Sequence, residues 1–360
     1  MAHVAIVAAG LEIIGGQGIQ ARILARELEA EGYRITFVPI HPWLPRWLTW
    51  VRRIPLLRTL INQFRYLPSL CALRKVDVAH VFAASYWSFL LAPVPAMLVG
   101  RLLRKRVILN YHSGEADDHL ARWGVLVHPW LRMAHEIVVP SRYLGDVFAR
   151  YGYQTRVVHN VLDVSRFHFR ERSLSEPHLV STRNLEPYYR IDNTIRAFAR
   201  LRERYPGATL TIIGEGSEAK MLRDLAGLLG ANGISFVGRM EPEAIPRVLD
   251  EAEVFVNSSV VDNQPLSVLE AFAAGLPVVS TPTGGIAELV REGETGAVVD
   301  PNDPEAMAGA IERLLGDPQQ ARSMARRARR ELEQYTWSRV RLGWIVAYHG
   351  TTACAELQAS

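Results

Sequence analysis

A chain of 360 residues exceeds the length at which one hydrophobic core usually keeps growing, so two α/β domains of ordinary size are expected. With 49% of residues apolar and 22% charged, the composition is globular and excludes an extensively disordered chain. The formal charge of +4 rests on arginine, because Lys75, Lys105 and Lys220 are the only lysines, so anion binding must lean on guanidinium groups and backbone amides.

Short apolar runs alternate with amphipathic stretches, the pattern of parallel sheets covered by helices. Residues 4–9 read as a buried strand rather than a signal peptide, since no basic stretch precedes them. Gly15-Gly16-Gln17-Gly18 forms a turn, 19–31 repeats apolar residues at helical spacing, and 35–40 is a second strand. Strands are expected at 78–82, 106–110, 136–140 and 156–159, closing a first domain over residues 1–164. The polar stretch 165–177 reads as a linker. A second domain, 165–336, then carries strands at 178–181, 209–213, 234–237, 254–257, 277–280 and 297–299. Helices are expected at 191–205, 219–229, 242–249, 266–274, 304–315 and 319–334. A last amphipathic stretch, within 337–355, is expected to pack back on the first domain. Cys71 and Cys354 give neither a disulfide framework nor a CxxC pattern, which fits a reducing cytoplasm. No apolar run reaches the roughly 18 to 20 residues that span a bilayer, so any membrane contact is peripheral.

In open α/β sheets, ligands bind beyond the carboxyl ends of strands, where helix N-termini point their amides outward. One such place is Asp262-Asn263-Gln264-Pro265-Leu266-Ser267-Val268-Leu269-Glu270, which follows the strand at 254–257. A loop carboxylate and a helix carboxylate near one helix N-terminus can grip the hydroxyls of a sugar and a ribose. From spacing alone, an ordinary capped helix with two solvated acids fits equally well.

Continued by Ala271-Phe272-Ala273-Ala274-Gly275-Leu276-Pro277-Val278-Val279 and Gly284-Gly285-Ile286-Ala287-Glu288, the stretch resembles the signature of the retaining family 4 glycosyltransferases. That signature is E-x7-E, then A-x-A-x-G-x-P-V-V, then GG-x-x-E. The resemblance implies a GT-B fold, two Rossmann-like domains facing across an interdomain cleft. It implies that Glu270 binds the nucleotide ribose and that Asp262, standing where the family has Glu, contacts the donor sugar, with Asn263, Gln264, Pro265 and Leu266 beside it. In the family an Arg and a Lys, as R-x4-K-G, neutralise the donor diphosphate. Arg183 matches the Arg, Tyr188 stands at the Lys position, and Arg190 is the candidate substitute, although a guanidinium forks two oxygens where an ammonium is a point charge. Gly15 and Gly16 resemble the family's N-terminal glycine loop; Gly214 and Arg239 lie at turns that in the family are near the nucleotide. His112 matches a first-domain histidine that contacts the donor sugar. Glu115, Asp117, Asp118 and His119 follow it and read first as surface groups. No His, Cys and carboxylate set has metal-ligand spacing, so no metal or other cofactor is expected beyond the nucleoside diphosphate sugar as co-substrate.

From Gly32 through Val76 there is no Asp or Glu, while Arg46, Arg52, Arg53, Arg58, Arg65 and Arg74 are interleaved with Trp43, Trp47, Trp50, Leu56, Leu57, Leu60, Ile61 and Phe64. Arginine with tryptophan on apolar helical pieces is the composition of an interfacial membrane segment, here residues 43–66. A hairpin closing over the first domain is the alternative; no nucleic-acid motif accompanies the patch.

The expectation is therefore a cytoplasmic glycosyltransferase, peripheral at the membrane, moving a hexose with retention from a nucleoside diphosphate sugar to a glycan or lipid-linked acceptor. The alternatives are a non-catalytic sugar-nucleotide-binding subunit and an enzyme resembling UDP-sugar epimerases.

Overall fold

The computed structural model describes residues 2–10, 15–41, 54–175 and 177–350. The chain forms two compact units, one running to Val161 and resuming at Trp337, the other comprising Leu162–Thr336. The division lies three residues ahead of the expected boundary at 164/165.

In the first unit, β1 (His3–Ala8), β2 (Arg34–Pro39), β3 (Val78–Ala83), β4 (Arg106–Tyr111), β5 (Glu136–Val139) and β6 (Arg156–Val157) form one sheet in the order 2-1-3-4-5-6. Every pairing is parallel. Both faces are buried, which is why the strands read as apolar runs: in β1, Ala5 and Val7 enter one core, and Val4, Ile6 and Ala8 the other. Helix α1 (Gly16–Ala30) covers one face; α2 (Pro55–Ser69), α3 (Tyr86–Leu91), α4 (Pro93–Leu102), α5 (Ala116–Leu131) and α6 (Arg142–Arg150) cover the other.

The second unit has β7 (His178–Thr182), β8 (Thr209–Ile213), β9 (Ile234–Gly238), β10 (Val254–Asn257), β11 (Val278–Ser280) and β12 (Ala297–Val298), again all parallel, in the order 12-11-10-7-8-9. Its helices are α7 (Ile191–Arg204), α8 (Ala219–Leu228), α9 (Ile245–Glu251), α10 (Leu266–Ala274), α11 (Ile286–Leu289), α12 (Pro304–Gly316) and α13 (Pro318–Glu331). The strand order is that of a Rossmann sheet, and it reverses between β7 and β10. A crevice for ligands opens at such a reversal, beyond the strands' carboxyl ends.

Residues 165–177 were expected to be a linker, and the structure corrects this. Arg172 is fully buried and donates to Asp250 O (2.5 Å) and Ala274 O (2.6 Å), carbonyls in the last turns of α9 and α10. Arg170 also donates to Asp250 O, at 2.6 Å. These guanidinium groups satisfy helix-end carbonyls that have no partner within their own helices, so the polar stretch is built into the second unit.

The final helix, α14 (Trp337–His349), belongs to the first unit, where Val340, Trp344, Ala347 and Tyr348 join the core beneath α1. Tyr348 Oη meets His80 Nδ1 at 2.8 Å, and Arg106 Nε donates to Ala347 O at 2.7 Å. The remainder of the expected C-terminal stretch, 351–355, lies outside the described residues, as do residues 42–53 of the Trp/Arg segment. No helix among the described residues is long and apolar enough to cross a membrane.

Candidate functional site

The turn after β7 and the loop after β10 flank the strand-order reversal, and the structure joins them through Arg183. This side chain is buried; its Nη1 donates to Ser267 Oγ at 2.9 Å and its Nη2 is ion-paired with Asp262. Its guanidinium lies 4.2 Å from the centroid of the Tyr189 ring, a cation-π contact. Its Nε, also buried, meets no hydrogen-bond acceptor among the described residues. A positive charge held in a low-dielectric crevice and not fully saturated is suited to an anionic ligand.

Glycines set the Arg183 backbone. Gly214 has φ +149°, and a Cβ there would overlap Arg183 O; a Cβ at Gly216 would overlap Leu185 O. Leu185 N in turn donates to Glu215 O at 3.0 Å, and Glu218 N to Leu185 O at 2.9 Å. The Gly214 turn thus presses against the Arg183 turn, and this glycine is needed by the chain's own backbone.

In the second loop, Asp262 Oδ1 accepts from Asn263 N at 2.8 Å, leaving Oδ2 to Arg183. Asn263 and Gln264 are buried, and Pro265, in extended conformation, caps α10 ahead of Leu266. The Gly284-Gly285 turn is needed here, since a Cβ at Gly285 would overlap Asn263 O. Glu270 follows in the second turn of α10 and is partly buried. Burial pushes its carboxyl up to about 7, against the opposing pull of Arg166 and Arg183.

Arg190 is engaged elsewhere. Its backbone is left-handed (φ 48°, ψ 44°) at the start of α7, and its guanidinium pairs with Asp192 at 2.9 and 3.0 Å and with Asn302. The guanidinium thus makes a local ion pair with Asp192, while the preceding residue, Tyr189, is the one that contacts Arg183. Tyr188, at that position, is exposed. Arg239 is exposed just after β9, on the far edge of the sheet order from β10.

In the first unit, Gly15 caps α1 with an extended backbone, and a Cβ on Gly15 or Gly16 would meet no described atom within 4 Å. Among the described residues, nothing packs where a side chain at either glycine would stand, before the N-terminus of α1. His112 directly follows β4, donates its amide to Ala83 O at 3.0 Å and stacks on Phe82 at 5.1 Å. Its Nε2 is buried with no hydrogen-bond partner among the described residues, facing a small cavity also lined by Gln20, Asn110, His159 and Asn160. Burial drives its pKa down to about 3, so the ring is neutral at physiological pH. Of the groups that follow, Asp118 accepts from Tyr86 Oη. His119, expected at the surface, is buried with Nδ1 2.8 Å from Tyr111 Oη; α5 turns it inward.

Arg166, Ser267 and Tyr189 were not singled out from sequence. Arg166 lies in the stretch read as linker, and nothing in its neighbours marks it; in the structure it donates to Pro242 O at 2.5 Å, and its charge acts on Glu270. Ser267 had a signal, since it faces the reversal from the first turn of α10. Among the described residues no group of three or more His, Cys, Asp or Glu is arranged to hold a metal ion.

Residues 14–166 match the model of Glycosyltransferase Family 4, and 165–331 that of Glycosyl transferases group 1. Glycogen synthase of Mycobacterium tuberculosis is 32% identical over 282 residues, 73% of this chain and 66% of that protein. A GDP-mannose-dependent alpha-(1-6)-phosphatidylinositol monomannoside mannosyltransferase of Mycolicibacterium smegmatis is 31% identical over 278 residues, 68% of this chain and 72% of the relative. Other curated relatives are spanned less fully, 17% of an exopolysaccharide phosphotransferase of Streptomyces coelicolor and 40% of a D-inositol 3-phosphate glycosyltransferase of Corynebacterium urealyticum. Two solved structures share the fold: Anabaena HepE in complex with UDP and glucose (TM-score 0.73, 16% identity, all of both chains) and sucrose-phosphate synthase of Thermosynechococcus elongatus (TM-score 0.75, 21% identity, 98% of this chain and 100% of that one). With both halves matched in register with the two α/β units, and the signature residues gathered at the β7/β10 reversal, the chain belongs to the group 1, family 4 glycosyltransferases of GT-B fold.

Proposed function

We propose that the chain transfers a hexose from a nucleoside diphosphate sugar to an acceptor hydroxyl, with retention at the anomeric carbon. The observation that carries this reading is Arg183, buried at the strand-order reversal with Asp262 and Ser267 on it and Glu270 nearby on the same helix as Ser267. As the bond to the diphosphate breaks, negative charge grows on the leaving oxygen, and a preorganised guanidinium stabilises it with little reorganisation. Glu270, when ionised, accepts from ribose hydroxyls; Asp262 and the amides before α10 orient the sugar. His112, neutral, serves the sugar as a hydrogen-bonding group. Gly15 and Gly16 admit phosphate oxygens to the α1 N-terminus.

HepE was solved with UDP and glucose, and the Mycolicibacterium relative is named for GDP-mannose and a phosphatidylinositol mannoside. Both support a sugar-nucleotide donor, and the second supports a lipid-linked acceptor; we further propose a cytoplasmic enzyme, peripheral at the membrane, that acts in envelope polysaccharide synthesis. Since the guanidinium supplies the counter-charge, the mechanism calls for no metal.

A thermal-shift series with UDP, GDP and their hexose derivatives identifies the donor, because a ligand bound only by the folded state raises its melting temperature. With that donor, Arg183→Ala is expected to lose on the order of 10²-fold or more in turnover, Arg183→Lys to recover little of it, and EDTA to have no effect. Full transfer by Arg183→Ala refutes the assignment. A second reading, a subunit that binds the donor without transferring it, is favoured by one feature, the Asp262 carboxylate already neutralising Arg183; binding with no transfer to any acceptor would establish it. Conversion of donor without acceptor would instead indicate an epimerase.

A further inference from the structure

We propose that the face of the first unit made by α2 and α4 docks on an anionic lipid bilayer. On α2, Leu60, Phe64 and Leu67 follow one another at four- and three-residue steps and so share one side of the helix. They are 67%, 82% and 47% exposed. On α4, Leu98 and Leu102, four residues apart, are 40% and 73% exposed. Lone exposed leucines are ordinary on any protein surface. Here five large apolar side chains stand at helical spacing on two helices that cover the same face of the sheet.

The stripe does not fold back into the unit. The opposite side of α2 is anchored by Tyr66, which is fully buried and donates to Ala92 O, the residue that caps α4, at 2.7 Å. The outward side is thereby fixed.

Charge selects the partner. Between Gly32 and Glu115 the sequence has a single acid, Asp77, against twelve Lys and Arg, although the whole chain carries only +4. Asp77 itself accepts from the His3 amide at 2.8 Å. Exposed cations lie on α2 (Arg58, Arg65), in the 3-10 turn that follows it (Arg74, Lys75) and at the C-terminal end of α4 (Arg101, Arg104). Cations flanking an apolar stripe satisfy both layers of a bilayer surface at once: the stripe enters the acyl boundary while the long side chains reach back to anionic headgroups. Single-stranded nucleic acid would use aromatic faces for stacking, and four of these five side chains are leucine.

The proposal deepens the lipid-linked acceptor reading by naming the surface that brings the chain to that acceptor. Docking itself needs neither donor nor acceptor, so it is testable apart from transfer. The full chain is co-sedimented with vesicles of phosphatidylcholine alone and of phosphatidylcholine with phosphatidylglycerol, and the thermal shift with UDP and GDP is read on the same samples. Wild type is expected to bind the anionic vesicles at least about tenfold better than the neutral ones, and less at high salt. The triple variant Leu60→Ser, Phe64→Ser, Leu67→Ser is expected to lose at least about tenfold in binding. Arg58→Ala and Arg65→Ala are expected to lose about fivefold each. Leu228→Ser, 85% exposed on α8 of the second unit, should bind as wild type. Melting temperatures check that each variant folds. This pattern supports docking even where no nucleotide shift appears, in which case the transfer reading alone fails. The proposal is overturned by absence of binding to anionic vesicles, by stripe variants that bind as wild type, or by RNA binding in place of vesicle binding.

Discussion

Glu270 is more easily kept as a neutral acid than as a carboxylate in the folded chain, because burial outweighs the attraction of Arg166 and Arg183. With a folded pKa of about 7 against a reference of 4.5, the folded state binds the proton more tightly than the unfolded chain does. Stability from this residue is therefore full below about pH 4.5 and declines as pH rises through about 7. The whole difference is on the order of 3 kcal/mol at most. Glu270→Gln keeps the shape without the charge, so at pH 8 it is expected to be about 1–3 kcal/mol more stable than wild type. Near pH 4 the two should melt together. The same variant should bind the nucleotide more weakly, and wild-type affinity should climb as pH passes 7, where the carboxylate forms. Equal or lower stability of Glu270→Gln at pH 8 would remove the argument that the site holds a costly charge for the ligand.

Two glycine turns look alike in sequence and differ in structure. At Gly214 a Cβ would strike the Arg183 carbonyl, whereas at Gly15 it would meet nothing described. Gly214→Ala is accordingly expected to destabilise the fold by more than about 2 kcal/mol, through backbone strain that also displaces Arg183. Gly15→Ala should stay within about 0.5 kcal/mol of wild type in melts while weakening donor binding, since no described residue would contact the added methyl and a phosphate at the α1 N-terminus would. The alternation of elements was legible because both faces of each sheet are buried, so strands such as β4 and β10 read as apolar runs. Asp262 and Glu270 were legible as a pair because one short segment carries both. The Arg183–Asp262 contact was not, as 79 residues separate the partners and only the sheet order brings them together. The Arg190–Asp192 pair and the left-handed backbone at Arg190 were likewise not legible, since neither follows from residue spacing. Arg170 and Arg172 read as solvated linker residues because sequence does not reveal the helix-end carbonyls they meet.

At the scale of the molecule, the second unit is an insertion in the first. The first unit's chain leaves at Val161 and resumes at Trp337, and inside the second unit Leu162 N donates to Tyr335 O at 2.8 Å. The two ends of the inserted unit therefore lie side by side, an arrangement that lets a domain be cut out with little strain. Its cores are closed by its own residues, on one face through Ile195, Phe198 and Ile311 and on the other through Phe255, Phe272 and Leu332. Residues 162–336 expressed alone are thus expected to unfold cooperatively and, since Arg183, Asp262 and Glu270 are all present, to keep a nucleoside diphosphate affinity within about tenfold of the full chain. The first unit should behave otherwise. Residues 1–161 without α14 would expose the core against which Trp344 and Tyr348 pack and leave His80 Nδ1 without its tyrosine, whereas joining 161 to 337 by a short linker should restore a cooperative fold. Calorimetry with and without nucleotide on the three chains separates these cases. Loss of nucleotide binding in a folded 162–336 would mean that Arg183, Asp262 and Glu270 do not carry most of the nucleoside diphosphate affinity.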